Sequence, residues 1–276
     1  MREVNNKPMA GRSLAALVWA AGWMAGLTLS VSAQAEGLRA PQRASIELVG
    51  SQSRLSAGLP NGSAANLRAT WSPRGGTLLA AEAMSEKKFG ESGGLAGLGV
   101  TQDFDERWYG SLTGLGGWGG VNWASQRLDA SLARKWGARQ QLVTTLGGYR
   151  ARFGGGRSDS GLRLSATHYT SESLVFDAGI AFNRSQPGAV HSRMPWLAGT
   201  YGREGWQYLS LRVAHGSEAW QPLTSGTQIV DFDSTTVSLD WRRWIEPSWG
   251  FVLRAEHYRN PSYHRNTLGA GVFMGL

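Results

Sequence analysis

The stretch that decides the fold runs from Ser248 to Leu276: SWGFVLRAEHYR, a short NPSY, then HRNTLGAGVFMGL. Phe251, Leu253, Ala255 and His257 alternate with Val252, Arg254, Glu256 and Tyr258. Leu268, Ala270, Val272, Met274 and Leu276 alternate with Gly269, Gly271, Phe273 and Gly275. A period of two over about ten residues is a strand with two unlike faces. The Asn-Pro-Ser-Tyr connection makes the pair a hairpin. The last strand is apolar and uncharged, and as a free sheet edge it would invite aggregation. Pairing with the first strand removes that edge and closes a barrel.

Composition points the same way. Charged residues are only 17% of the chain, while Gly (38) and Trp (13) are abundant. Mean hydropathy is nevertheless −0.28, which excludes a bundle of apolar membrane helices. Alternating strands reconcile the two, because a membrane barrel never needs a continuous apolar run. The net charge of +8 raises nucleic acid as a partner. Arginines scattered singly through alternating strands, with no basic stripe or recognition helix, argue against it. The absence of Cys excludes a small disulfide-stapled scaffold.

Residues 1–35 read as a signal peptide. Arg2, Lys7 and Arg12 give a basic start, 14–31 is largely apolar, and Ala33-Gln34-Ala35 offers a small-x-small cleavage site. Residues 36–43 form a short periplasmic leader, and 44–276 a single barrel domain. The fold expected is all-β, an antiparallel up-and-down transmembrane β-barrel of about 14 strands, with 12 or 16 as alternatives.

The connections between the predicted strands alternate in length. Longer ones fall at 57–64, 87–92, 119–121, 154–158, 186–191, 219–228 and 260–263. Tight ones fall at 73–75, 105–106, 137–139, 171–172, 203–205 and 245–247. One tight rim and one looped rim are what an outer-membrane barrel shows, with the tight rim and both termini in the periplasm. Trp71, Trp108, Trp136, Tyr169, Tyr201, Trp206, Trp244 and Trp249 lie near the tight turns, as an interfacial aromatic girdle requires.

Opposite the apolar strand faces sit Arg68, Arg163, Asp177, Asn183, Arg212, Asp240, Arg242, Arg254 and Glu256. On the lipid face each charge costs about 2–4 kcal/mol at mid-depth, so these nine are expected in the lumen. They suit an arginine-lined pore favouring anionic or saccharide solutes, or an ion-pair network that braces the wall. Lys87, Lys88, Arg157, Arg193, Arg259 and Arg265 flank the longer connections, where lipopolysaccharide phosphates are the expected partners.

His215-Gly216-Ser217-Glu218 is the one constellation that could be catalytic, since His215 and Ser217 share a strand face. Their parity matches Leu209, Leu211 and Val213, the lipid side. The stretch resembles outer-membrane phospholipase A and the lipid A deacylases, which use a membrane-facing His-x-Ser pair. Those families follow the serine with Asn, where this chain has Glu218, and the sequence shows no third member for His215. The other histidines have no metal-ligand spacing, and no cofactor is expected.

Three stretches resemble the YaiO-type outer-membrane β-barrel family: ERWYGSL (106–112), LRVAHGSEAWQ (211–221) and HYRNPSYHRNTLGAGVFMGL (257–276). The resemblance implies a Gram-negative outer-membrane barrel and carries over no catalytic or binding residues. A looser similarity to the barrels of exopolysaccharide exporters implies an accessory role in polysaccharide export, although the helical-repeat domain usual there has no counterpart here. A porin-like monomer is expected, inserted by the barrel assembly machinery through Ser248–Leu276. Gly271, Met274 and Leu276 partly match a C-terminal assembly signal, without the usual terminal aromatic.

Overall fold

A computed structural model describes residues 44–171, 173–224 and 227–276. The segment expected to be signal peptide and leader lies outside the described residues.

Fourteen strands follow in order: β1 (Ala44–Leu55), β2 (Gly62–Arg74), β3 (Thr77–Lys88), β4 (Glu91–Asp103), β5 (Trp108–Trp118), β6 (Ala124–Trp136), β7 (Leu142–Phe153), β8 (Ser158–Ser171), β9 (Leu174–Gln186), β10 (Val190–Arg203), β11 (Gln207–Thr224), β12 (Thr227–Glu246), β13 (Trp249–Arg259) and β14 (His264–Gly275). Each pairs antiparallel with its neighbours, and β1 pairs with β14 from Ser45↔Gly275 to Leu55↔Arg265, so the sheet is a closed barrel. No described helix is long and apolar enough to cross a membrane.

The strand period sorts the side chains. Leu162, Leu164, Phe176, Phe182, Leu197, Leu211 and Leu239 are exposed on the outside, although each is large and apolar. A soluble protein does not leave such a band bare; lipid covers it. Of the expected girdle, Trp71, Trp136, Tyr201 and Trp249 are exposed on the outer face, and Trp206 packs edge-to-face on Tyr201 at 5.5 Å. Trp244 and Tyr169 take the inward parity instead. Trp244 is buried in the lumen against Val49, Val252, Phe273 and Tyr208.

The rims differ less than the sequence implied. The connection expected at 87–92 is only Phe89 and Gly90, both at positive φ (51° and 83°), the signature of a two-residue hairpin turn. The connection expected at 219–228 is mostly strand, with Trp220↔Val230, Gln221↔Ile229 and Pro222↔Gln228 in register. β11 and β12 therefore reach 18 and 20 residues, well beyond the 9–11 or so that a membrane crossing needs. Backbone pairing there outweighs the turn-forming look of the Pro and polar residues.

One seam is incomplete. β10 pairs with β9 from Tyr201↔Leu174 to Val190↔Ser185, whereas its ladder to β11 stops at Trp196↔Ala214. The next residue, Pro195, has no N–H to donate. Beyond it Ser217 Oγ accepts a hydrogen bond from the Arg193 N–H at 3.0 Å. The strands stay close because residue 216 is Gly: a Cβ there would sit 2.2 Å from the Arg193 carbonyl oxygen.

Candidate functional site within the barrel

The lumen has two unlike walls. On the β12–β13–β1 side, Glu47 collects two guanidiniums. Arg254 meets it at 2.7 Å, Arg242 donates to its other oxygen, and Arg254 also pairs with Asp240 at 3.1 Å. Arg68 faces Glu47 and Glu82. Further out, Arg265 pairs with Glu256 at 2.7 Å. Every guanidinium on this wall has a carboxylate partner or neighbour. The arrangement braces the closure between the first and last strands.

The outer end of this wall is capped. Phe89, Leu223, Tyr258 and Tyr263 form a buried cluster with Leu55, Leu59 and Ile229 around it. Gln221, fully buried, donates to Tyr263 Oη at 2.6 Å and accepts from Tyr258 Oη at 3.3 Å. The overlong β11–β12 hairpin supplies Gln221 and Leu223 to this cap.

The β8–β10–β11 wall is different. Trp196 stands inward, and two guanidiniums lie against its indole: Arg212 at 4.9 Å and Arg163 at 5.6 Å from a ring centroid. The Trp196 Nε1–H donates to Asp177 Oδ1 at 3.1 Å. Asp177 acts electrostatically on both arginines, and Asp129 acts on Arg163 from β6. Among the described residues neither Arg163 nor Arg212 has an ion pair within 4 Å. Asn183, nearer the rim, accepts from Tyr149 Oη at 2.7 Å, and Arg127 is neutralised by a bidentate pair with Asp129. All nine residues expected in the lumen thus take the inward parity, but they divide into a braced set and an unbraced pair.

Two residues of this geometry were missed in the sequence, Glu47 and Trp196. Glu47 was legible, since Ile46 and Leu48 flank it on an otherwise alternating strand. Trp196 was not, because both faces of Met194–Thr200 carry apolar residues.

His215 and Ser217 face outward near the outer rim. His215 Nδ1 is bonded to Thr235 Oγ1 at 2.8 Å, and the Ser217 oxygen is occupied by the Arg193 amide. Each side chain thus has a neighbour other than its expected partner, and the Ser217 hydroxyl bridges the interrupted backbone ladder. Glu218 points inward, accepting from Ser234 Oγ and Tyr258 Oη at 2.5 and 3.0 Å. Of the six loop-flanking cations expected to meet lipopolysaccharide, Lys88, Arg157 and Arg265 are buried. Lys88 ends β3 instead of lying in a connection, Arg265 takes the inward parity of β14, and Arg157 turns inward from the connection before β8.

The profile of the YaiO membrane beta barrel domain matches residues 43–221. The chain belongs to the YaiO membrane beta barrel family. No curated protein matches it. Among solved structures, the YaiO chain is similar to the CymD monoaromatic hydrocarbon channel, at 8% identity and a TM-score of 0.58, covering 84% of this chain and 88% of that one. An outer membrane channel from Pseudomonas putida F1 aligns at 11% identity and a TM-score of 0.50, covering 86% and 97%. A bacterial polysaccharide outer membrane secretin aligns at 12% identity and a TM-score of 0.50, covering 86% and 99%. At these identities the likeness is one of fold: the YaiO chain is an outer-membrane-type barrel with channel-like neighbours.

Proposed function

We propose that this YaiO barrel is a passive outer-membrane pore for small anionic solutes, acidic saccharides included. The observation that carries the reading is the Arg163–Trp196–Arg212 cluster, two guanidiniums on one indole and neither of them in an ion pair among the described residues. Guanidiniums stacked on a ring keep their N–H edges free, and those edges match carboxylate, phosphate or sulfate oxygens. The adjoining β12–β13–β1 wall, where Glu47 and Asp240 hold the arginines, adds little net charge. A solute would therefore meet a one-sided positive field, which selects by sign.

Planar-bilayer recording under a salt gradient tests this. Arg163→Glu with Arg212→Glu should move the reversal potential from anion towards cation preference. Arg254→Gln should leave it nearly unchanged. Conductance absent both from the native chain and from a Tyr263→Ala variant with a loosened cap overturns the proposal, as does a reversal potential indifferent to the double reversal.

A further inference from the structure

Outside the lumen, the outer face of β3 to β7 is hollowed. Residues opposite one another in register there are Ala81, Leu98, Gly114, Leu128 and Arg150. With Ala96 and Gly116 they line a depression of about 870 Å³. A Cβ built at Gly114 meets nothing within 4 Å, so the floor is open to the outside. Leu98 on its flank is 71% exposed.

The depression climbs towards the outer rim. Ala81 lies seven residues short of the outer end of β3, at Lys88, while Arg150 lies three short of the outer end of β7, at Phe153. Barrel strands tilt, so a row of register partners crosses the membrane obliquely. Its upper end is closed by Gln126, Arg150 and Arg152. Arg184 stands two strands from Arg150, with Ser160 between them in register. Arg150, Arg152 and Arg184 are all exposed, and among the described residues none has a carboxylate partner.

An arginine on the lipid side is costly at mid-depth and falls to about 0–1 kcal/mol near the interface. There a phosphate can accept bidentate hydrogen bonds from it. An apolar trough that ends in guanidiniums has the form of one lipid: chain below, phosphate above. We infer that this trough is a binding site for a phosphorylated lipid of the outer leaflet, its phosphate between Arg150 and Arg152 and one acyl chain over Gly114 and Gly116. Position within the lipid-covered band favours a lipid over a protein, whose side chains would have to enter the bilayer. The site is independent of whether the lumen conducts.

The test is native mass spectrometry of the full chain folded in detergent, with bisphosphorylated lipid A or its dephosphorylated form as probe. The phosphorylated probe should be retained about fivefold to tenfold more than the other. Arg150→Gln with Arg152→Gln should erase that difference. Gly114→Leu, which enters open space and should fold normally, should lower retention with both arginines present. Inorganic phosphate at equal concentration should not compete. Equal retention by the arginine variant, no effect of Gly114→Leu, or full competition by inorganic phosphate would each overturn the proposal.

Discussion

Glu47 of β1 and Arg254 of β13 form an ion pair at 2.7 Å across the strand that separates them in the wall. That strand, β14, has Gly269 beside Arg254 and Gly271 as its next inward residue before Phe273 beside Glu47, so the Arg254 side chain passes over two glycines. Arg242 of β12 reaches the same carboxylate. Glu47 thus ties the first strand to two of the last three. Glu47→Gln leaves Arg242 without its anion and Arg254 with Asp240 alone, in a largely buried setting, and the expected loss of stability is on the order of 3 kcal/mol. Urea unfolding in lipid vesicles measures it. Arg254→Gln on the Glu47→Gln background should cost much less than either change predicts alone.

Gly271 tests the closure from the other side. A Cβ there would stand 2.2 Å from the Leu48 carbonyl oxygen and 2.7 Å from a Val49 methyl. Gly271→Ala should therefore spread β1 from β14 and lower the temperature of the heat-modified gel shift, whereas Gly50→Ala, where a Cβ meets nothing, should not. Deletion of 273–276 removes Phe273, which packs on Trp244 at a centroid distance of 4.9 Å. Loss of outer-membrane insertion is the outcome expected of that truncation in cells.

Phe89 holds a left-handed backbone conformation, φ 51°, that suits Asn far better than a bulky aromatic. Its ring is 3% exposed and lies edge-on to Tyr263 at 5.8 Å, so the packing offsets the backbone cost. Phe89→Asn should ease the turn and loosen the cap. Faster amide exchange at 258–263 and a larger conductance are expected together. Unchanged exchange would mean that the cap does not depend on this ring.

In the 104–107 turn, the Arg107 and Trp108 N–H groups donate to Asp105 Oδ1 at 2.7 and 2.8 Å. These bonds favour the carboxylate and hold its pKa below the usual aspartate value of about 3.9. A lowered folded-state pKa stabilises above the unfolded value, and the effect fades as pH falls through the folded one. Asp105→Ala should therefore be less stable than the native chain at neutral pH, with the gap closing only in strong acid. Thermal unfolding at a series of pH values reads this directly.

Period-two patterning made the strands and the inward parity of the nine polar residues legible, because one residue of slip exposes charge to lipid. What stayed hidden was partnership. Parity places Arg163, Arg212 and Arg254 on the same side of the wall. Whether a carboxylate reaches each depends on neighbours distant in sequence, as Glu47 is from Arg254. Loop chemistry misled for a related reason. The 219–228 stretch has the composition of a connection, yet Trp220, Gln221, Pro222 and Thr224 find register partners on the facing strand and stay extended. Lys88 lies in the same way on a strand where a connection was expected, and a cation on a strand end obeys the parity of its strand.

The interrupted ladder at Pro195 gives the wall a weak direction. Elsewhere two neighbouring strands separate only by breaking a run of backbone bonds together, but above Trp196 and Ala214 the contact between β10 and β11 rests on one hydroxyl and a close glycine. Thermal breathing should begin there. The same point lies beside Trp196 and Arg212, so the part of the wall that yields first is the part that bears the unbraced charge.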